Sequence, residues 1–163
     1  MGGNSPPCRC GILKTKTPKL TLTAVEEPTF LLDTDTCIFA RRHKPEAVLA
    51  RLLERGFDRI CISVVTLYEL SYGAEKHDHP IKAREQLREF LRPFAIVNWT
   101  SDAARECAKI RARLEKKGIM IGPYDVQIAA HAKSLGCTVV TNNEKEFRRV
   151  DGLTVENWCS ARP

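Results

Sequence analysis

The stretch PYDVQIAAHAKSLGCTVVT, residues 123–141, holds a helix and a strand with a sharp boundary between them. Pro123 has no amide hydrogen and a preset φ, which suits the first turn of a helix. Gly136 can take the left-handed conformation that closes one. The residues after it, CTVVT (137–141), form an apolar run too short for a helix and rich in β-branched side chains. They read as a buried strand. A strand that is apolar throughout needs cover on both faces, as in a parallel sheet sandwiched by helices.

The same alternation continues outward. TFLLD (29–33), RICIS (59–63) and FAIVNW (94–99) read as strands, and LTVEN (153–157) as a last short one. Helices are expected over 45–56, stopped by Gly56, and over 64–76, with Ser63 as N-cap. Two more are expected over 81–91 and over 101–118, the latter capped by Ser101 and ended by Gly118. Short strands alternating with helices predict an α/β fold with a central parallel sheet. In such folds ligands bind beyond the carboxyl ends of the strands.

Length and composition set the frame. The 163 residues, 43% hydrophobic and 28% charged, suit one globular domain rather than a disordered chain. No apolar run approaches the ~20 residues of a membrane span, and the first thirty residues lack a signal-peptide core. A cytoplasmic protein without membrane partners is expected. The seven cysteines, with no CxxC pair, read as small buried hydrophobes rather than a disulfide or zinc framework. A net charge of +6 is compatible with a polyanion such as RNA and is weak as a pointer. Residues 1–28, with Pro6, Pro7, Pro18 and Pro28, read as a disordered extension. The domain is expected over 29–158 and a short tail over 159–163.

Chemistry gathers at the strand ends. Asp33 follows the first strand, Glu69 lies in the second turn of the helix after RICIS, Asp125 opens the helix after Gly122, and Asn142 and Asn143 follow CTVVT. Each has a plain alternative: Asp33 as a turn former, Glu69 on a solvated stripe with Thr66 and Gly73, Asp125 as a partner of the helix dipole. The set says more than its members. Converging carboxylates repel one another unless a cation lies between them. A hard divalent ion prefers oxygen ligands, keeps several waters, and suits phosphodiester hydrolysis.

In their contexts these residues resemble the PIN-domain ribonucleases, and in particular VapC-like toxins. LLDTDTCIF (31–39) is similar to the opening strand with its first acid, ISVVTLYELSYGAEK (62–76) to the second motif with Glu69, and IGPYDVQIAAHAKSLG (121–136) to the third with Asp125. VVTNNEKEFRRVDGLTVENW (139–158) is similar to the closing segment. The resemblance implies a three-layer α/β/α fold and Mg2+- or Mn2+-dependent endoribonuclease activity, with Asp33, Glu69 and Asp125 as metal ligands and catalytic residues. It also implies a VapB-like antitoxin partner, a homodimer, and tRNA as the leading substrate. In-line attack by water would leave 5′-phosphate and 3′-hydroxyl ends.

Two positions depart from the family's pattern. Asn143 stands where many members carry a fourth acid, with Glu144 and Glu146 nearby as substitutes. Asp35 stands where Asn is common; capping the next helix is favoured over a carboxylate beside the ion. Thr34 and Thr141 are expected to hydrogen-bond the site. RNA-binding candidates are Arg41, Arg42 and Lys44, Lys116 and Lys117, and Arg148 and Arg149, although a solvated surface is the commoner fate of such runs. His77 and His79 are expected in an exposed loop, and His131 lies off the face of Asp125. Two rival functions remain: an inactive PIN-type binding module, and a haloacid-dehalogenase-type phosphatase built on Asp33-x-Asp35.

Overall fold

A computed structural model describes residues 28–43 and 45–159. The expected N-terminal extension, apart from Pro28, lies outside them, as do Lys44 and the tail beyond Cys159. Five strands form one parallel sheet: β1 (Phe30–Leu32), β2 (Ile60–Ser63), β3 (Ala95–Val97), β4 (Thr138–Val140) and β5 (Val155–Glu156), in the order β3-β2-β1-β4-β5. The helices are α1 (Thr34–Arg42), α2 (Glu46–Arg55), α3 (Val64–Glu75), α4 (Pro80–Leu91), α5 (Ser101–Lys117), α6 (Pro123–Leu135) and α7 (Glu144–Phe147).

The period-2 pleat explains why the central strands are apolar throughout. Phe30, Leu32, Ile60, Ile62 and Val140 join one core with Val48 and Leu52 of α2 and Ala83 and Leu87 of α4. The alternate residues Leu31, Cys61 and Val139 join a second core with Ile110 and Leu114 of α5 and Ile128, Ala129 and Ala132 of α6. Every strand residue in these two sets is fully or almost fully buried. The expected three-layer α/β/α architecture is therefore present. Of the five described cysteines, Cys37, Cys61 and Cys137 are buried as expected, Cys107 and Cys159 are half-buried, and none forms a disulfide.

Chain direction in the sheet locates the crevice. From β1 the chain steps outward through β2 to β3, then returns to place β4 on the other side of β1. The order reverses between β1 and β4, and a ligand crevice opens beyond the carboxyl ends at such a reversal. Asp33 follows β1 and Thr141 follows β4, so both stand at that point.

Several local expectations need correction. The first helix starts at Thr34, and its N-cap is Asp33, whose carboxylate accepts from the Thr34 amide. Asp35 is therefore one residue too late to cap and stands exposed in the first turn. Thr100, not Ser101, caps α5, accepting from the Ala103 amide. Ser63 caps α3 as expected, and Gly118 and Gly136 close their helices in the left-handed conformation, at φ 65° and 69°. Among the described residues no helix is long and apolar enough to cross a membrane.

Candidate active site

Asp33 is 4% exposed, at the end of the central strand. One carboxylate oxygen accepts from the Thr34 amide at 2.7 Å and the other from the Thr141 hydroxyl at 2.8 Å. Burial pushes its pKa up to about 6, against those two donors, and the nearby charges of Asp35 and Glu69 push the same way. Glu69 comes in from α3 and accepts from the Thr34 hydroxyl at 2.5 Å. Thr66, one turn earlier on that helix, is fully buried and donates to the Leu32 carbonyl at 3.4 Å, so the first part of this stripe faces the sheet end, while Gly73 farther along is exposed.

Asp125 enters from the first turn of α6. Burial raises its pKa to about 8, helped by a hydrogen bond with Glu146 and by the charges of Asp33, Glu146 and Glu69. The structure thus brings together all three carboxylates expected from the sequence. Among the groups that shift Asp33 and Asp125 most, none is a lysine or arginine.

The PIN domain family model matches residues 30–153. The chain belongs to the PIN-domain family. It is 44% identical, over 80% of its length and 98% of the relative's, to the tRNA(fMet)-specific endonuclease VapC of Salmonella typhimurium. It is 37% identical to Ribonuclease VapC2 of Haemophilus influenzae over 79% of this chain and 97% of that one. Among solved structures it is similar to a chain of the DNA-bound VapBC complex from Salmonella typhimurium, with a TM-score of 0.77, 43% identity, and coverage of 81% and 99% of the two chains.

This PIN domain carries a fourth carboxylate, and it is not at Asn143. Short helix α7 turns Phe147 into the core and Glu146 toward Asp125. Glu146 accepts from the Gly122 amide at 3.2 Å, and its own pKa is lowered, chiefly by the Asp125 hydrogen bond. The same hydrogen bond pushes Asp125 up and Glu146 down. Asn143 supports the group: its amide nitrogen reaches Asp125 at 3.4 Å and its backbone amide donates to the Thr141 hydroxyl at 2.9 Å. Glu144 is turned away, paired with Arg148. The sequence signal for Glu146 was helical spacing, since residues 143 and 146 share a face once 144–147 is a helix.

Thr141 is the hinge of this hydrogen bonding, fully buried, donating to Asp33 while accepting from Asn143. Thr141→Val removes both roles. We expect a loss of about 1–3 kcal/mol, because the Asn143 amide is left without an acceptor. With a lowering donor gone, the Asp33 pKa rises, so the acid limb of the pH–activity profile moves to higher pH. An unmoved profile would show that the hydroxyl does not act on Asp33.

Among the described residues no three acidic or His/Cys side chains are drawn together tightly enough to hold an ion by direct ligation alone. A hydrated Mg2+ does not require that. It keeps several waters and is commonly held by one or two carboxylates. A buried Asp33 and a half-buried Asp125, both with raised pKa and neighbouring carboxylates among the causes, are the donor set such an ion would satisfy.

The remaining candidates fall outside this cluster. Asp35, the second acid of the phosphatase reading, is exposed on α1. His131 is fully buried, and its Nδ1 lies 2.8 Å from the Ser63 hydroxyl. That hydroxyl also accepts from the Val65 amide at 3.0 Å. Burial lowers the pKa of His131, a neutral core residue beside Trp99. His77 and His79 are exposed as expected. Of the basic candidates, Lys117 pairs with Asp151 and Arg148 with Glu144, while Arg41 and Arg42 end α1, whose start is at Asp33. The cluster's rim holds Tyr68 and Tyr124, each the residue before an acid, with ring centroids 5.5 Å apart, and Tyr72 stacked 6.4 Å from Tyr68. All three are exposed.

Proposed function

We propose that this PIN domain is a VapC-type endoribonuclease, the toxin of a toxin–antitoxin pair, which cuts tRNA in the cytoplasm with the help of Mg2+ or Mn2+. The observation that carries the reading is the carboxylate cluster around buried Asp33, with no lysine or arginine among the groups that most shift Asp33 and Asp125, at the reversal of the strand order. The 44% identity to a tRNA(fMet)-specific endonuclease supports tRNA, and the initiator species first.

Asp33 and Asp125 would hold the cation, with Glu69 and Glu146 reaching it directly or through water. When bound, the ion supplies a water of lowered pKa and neutralises charge developing on the phosphate. The chain's own residues do the rest. The Thr34 amide and the Thr141 hydroxyl fix both oxygens of Asp33, and the Thr34 hydroxyl fixes Glu69. Burial and the neighbouring carboxylates hold the Asp125 pKa up, near 8, so the cation would compete there with a proton. Tyr68, Tyr72 and Tyr124 offer faces on which unpaired bases of a splayed RNA loop can stack. Four carboxylates in place favour this reading over an inactive binding module.

An antitoxin has surface available away from the cluster. A cleft of about 700 Å3 lies between α1, α2 and α4, lined by Leu49, Phe57, Phe90 and Phe94 with Arg41 and Arg42 at its rim. An amphipathic segment suits such a groove. A second copy, giving the homodimer, belongs to the same reading.

Expression in bacterial cells tests the substrate. The wild type is expected to arrest growth while intact initiator tRNA disappears on a northern blot, and Asp33→Ala to do neither. Arrest with all tRNAs intact would remove tRNA as the target.

A further inference from the structure

Sequence alone leaves Arg149 as a candidate RNA contact or a solvated charge; in the structure it also reaches back to an earlier segment of its own chain. The guanidinium donates to the Met120 carbonyl at 2.7 Å. Its charge also lies near Glu146 and helps to keep that carboxyl low. Two residues beyond Met120, the Gly122 amide donates to Glu146 at 3.2 Å. The segment 120–122 is thus held through a carbonyl by Arg149 and through an amide by Glu146, and both grips come from the α7 region.

That segment decides where Asp125 stands. Gly122 is the N-cap of α6, and its carbonyl accepts from the Val126 amide at 3.0 Å. A Cβ on Gly122 would lie 3.0 Å from one Asp125 carboxylate oxygen and 3.3 Å from its carboxyl carbon. The backbone and the carboxylate are therefore in close register, and a shift of one displaces the other. Gly122 itself lends no side-chain hydrogen bond to fix the start of the helix.

We propose that Arg149 is a positioning residue, which with Glu146 clamps the 120–122 segment and so sets the place of the Asp125 carboxylate. Charge-assisted hydrogen bonds to a carbonyl are among the stronger ones, and partners that orient a ligand commonly carry 10- to 100-fold in metal affinity. The inference rests on the metal-dependent reading for its functional consequence, and on geometry alone for the clamp.

Two readouts on the full chain separate the layers. In the metal-free protein, amide NMR of Arg149→Ala should move the Gly122 and Asp125 cross-peaks and leave Leu31 of β1 in place. Calorimetric titration with Mn2+ should show affinity weakened about 10-fold in Arg149→Ala, with partial recovery in Arg149→Lys, which can still reach the carbonyl. Unmoved Gly122 and Asp125 peaks overturn the clamp. So does unchanged Mn2+ affinity together with a raised KM for RNA and a shallower salt dependence, which would make Arg149 a phosphate contact. If Arg149→Ala fails to fold, Arg149→Met, which keeps an apolar stem but has no donor, decides by the same peaks. A wild type that binds no Mn2+ removes the metal reading, while the NMR comparison still judges the clamp.

Discussion

Asp33→Asn is expected to abolish RNA cleavage and, at pH 8 without divalent cations, to make the protein more stable. The two effects have one cause. The wild-type carboxyl has its pKa raised from 3.8 to about 6, mainly because it is buried. A raised carboxylate pKa means that the folded state keeps its proton after the unfolded chain has released it. Between pH 4 and pH 6 the folded state therefore binds more protons, and stability falls as pH rises. Above pH 6 the whole cost of the buried charge is present, of the order of 3 kcal/mol. An amide carries no such charge. Its oxygen can still accept from the Thr34 amide, and its NH2 can donate to the Thr141 hydroxyl. Denaturant melts at pH 4.5 and pH 8 check this: the variant should gain at pH 8 and gain little or nothing at pH 4.5. A variant less stable than wild type at pH 8 would mean that Asp33 is a structural cap before it is anything else.

The second large effect is stabilisation by a divalent cation, and its pH dependence. Mg2+ or Mn2+ must displace the protons that Asp33 and Asp125 hold, with pKa values near 6 and 8. At pH 5 both carboxyls are protonated and the cation competes poorly. At pH 8 Asp33 is ionised and Asp125 half ionised, so binding takes few protons off. A cation at 100 times its Kd adds about 2.7 kcal/mol, which for a domain of this size raises Tm by roughly 10 °C. The Tm gain should therefore be large at pH 8 and near zero at pH 5, and absent at both in Asp33→Asn. An equal gain at both pH values would place the bound ion somewhere other than these carboxylates.

The large-scale order was readable because it rests on simple periodicities. Apolar runs such as CTVVT announced strands buried on both faces, and the structure shows their alternate residues dividing between two cores. Pro123 and Gly136 bounded α6 correctly, because the φ preset of one and the left-handed φ of the other are local properties. Asp33, Glu69 and Asp125 were legible from their place after strands and at helix starts, once the family pattern tied them together. What escaped was short-range competition. Asp33 and Asp35 both precede or enter α1, and only geometry shows that Asp33 takes the cap. Thr100 and Ser101 are adjacent hydroxyls, and the helix begins one residue earlier than a Ser101 cap implies.

Glu146 shows the same limit at the site. A four-residue helix gives too little periodicity to announce itself, so the sequence offers Glu144 and Glu146 as equal substitutes for the acid missing at Asn143. The buried anchor Phe147 is what turns Glu146 inward and leaves Glu144 to Arg148. The hydrogen bonds of Thr34 and Thr141 were anticipated in kind, but their partners depend on which strands are neighbours. The bond of Arg149 was not legible for a related reason: a charge near a site looks the same in sequence whether it faces solvent alone or also reaches a carbonyl 29 residues earlier.

The central claim is a carboxylate cluster that cleaves RNA through a divalent cation. It is tested most directly by stripping the purified protein with EDTA, presenting it with total tRNA, restoring Mg2+ or Mn2+, and mapping the ends of the products. The account predicts no cutting in EDTA, discrete cuts with 5′-phosphate and 3′-hydroxyl ends once the cation returns, and none with Asp33→Asn. Cutting that persists in EDTA and leaves 2′,3′-cyclic phosphates would contradict it.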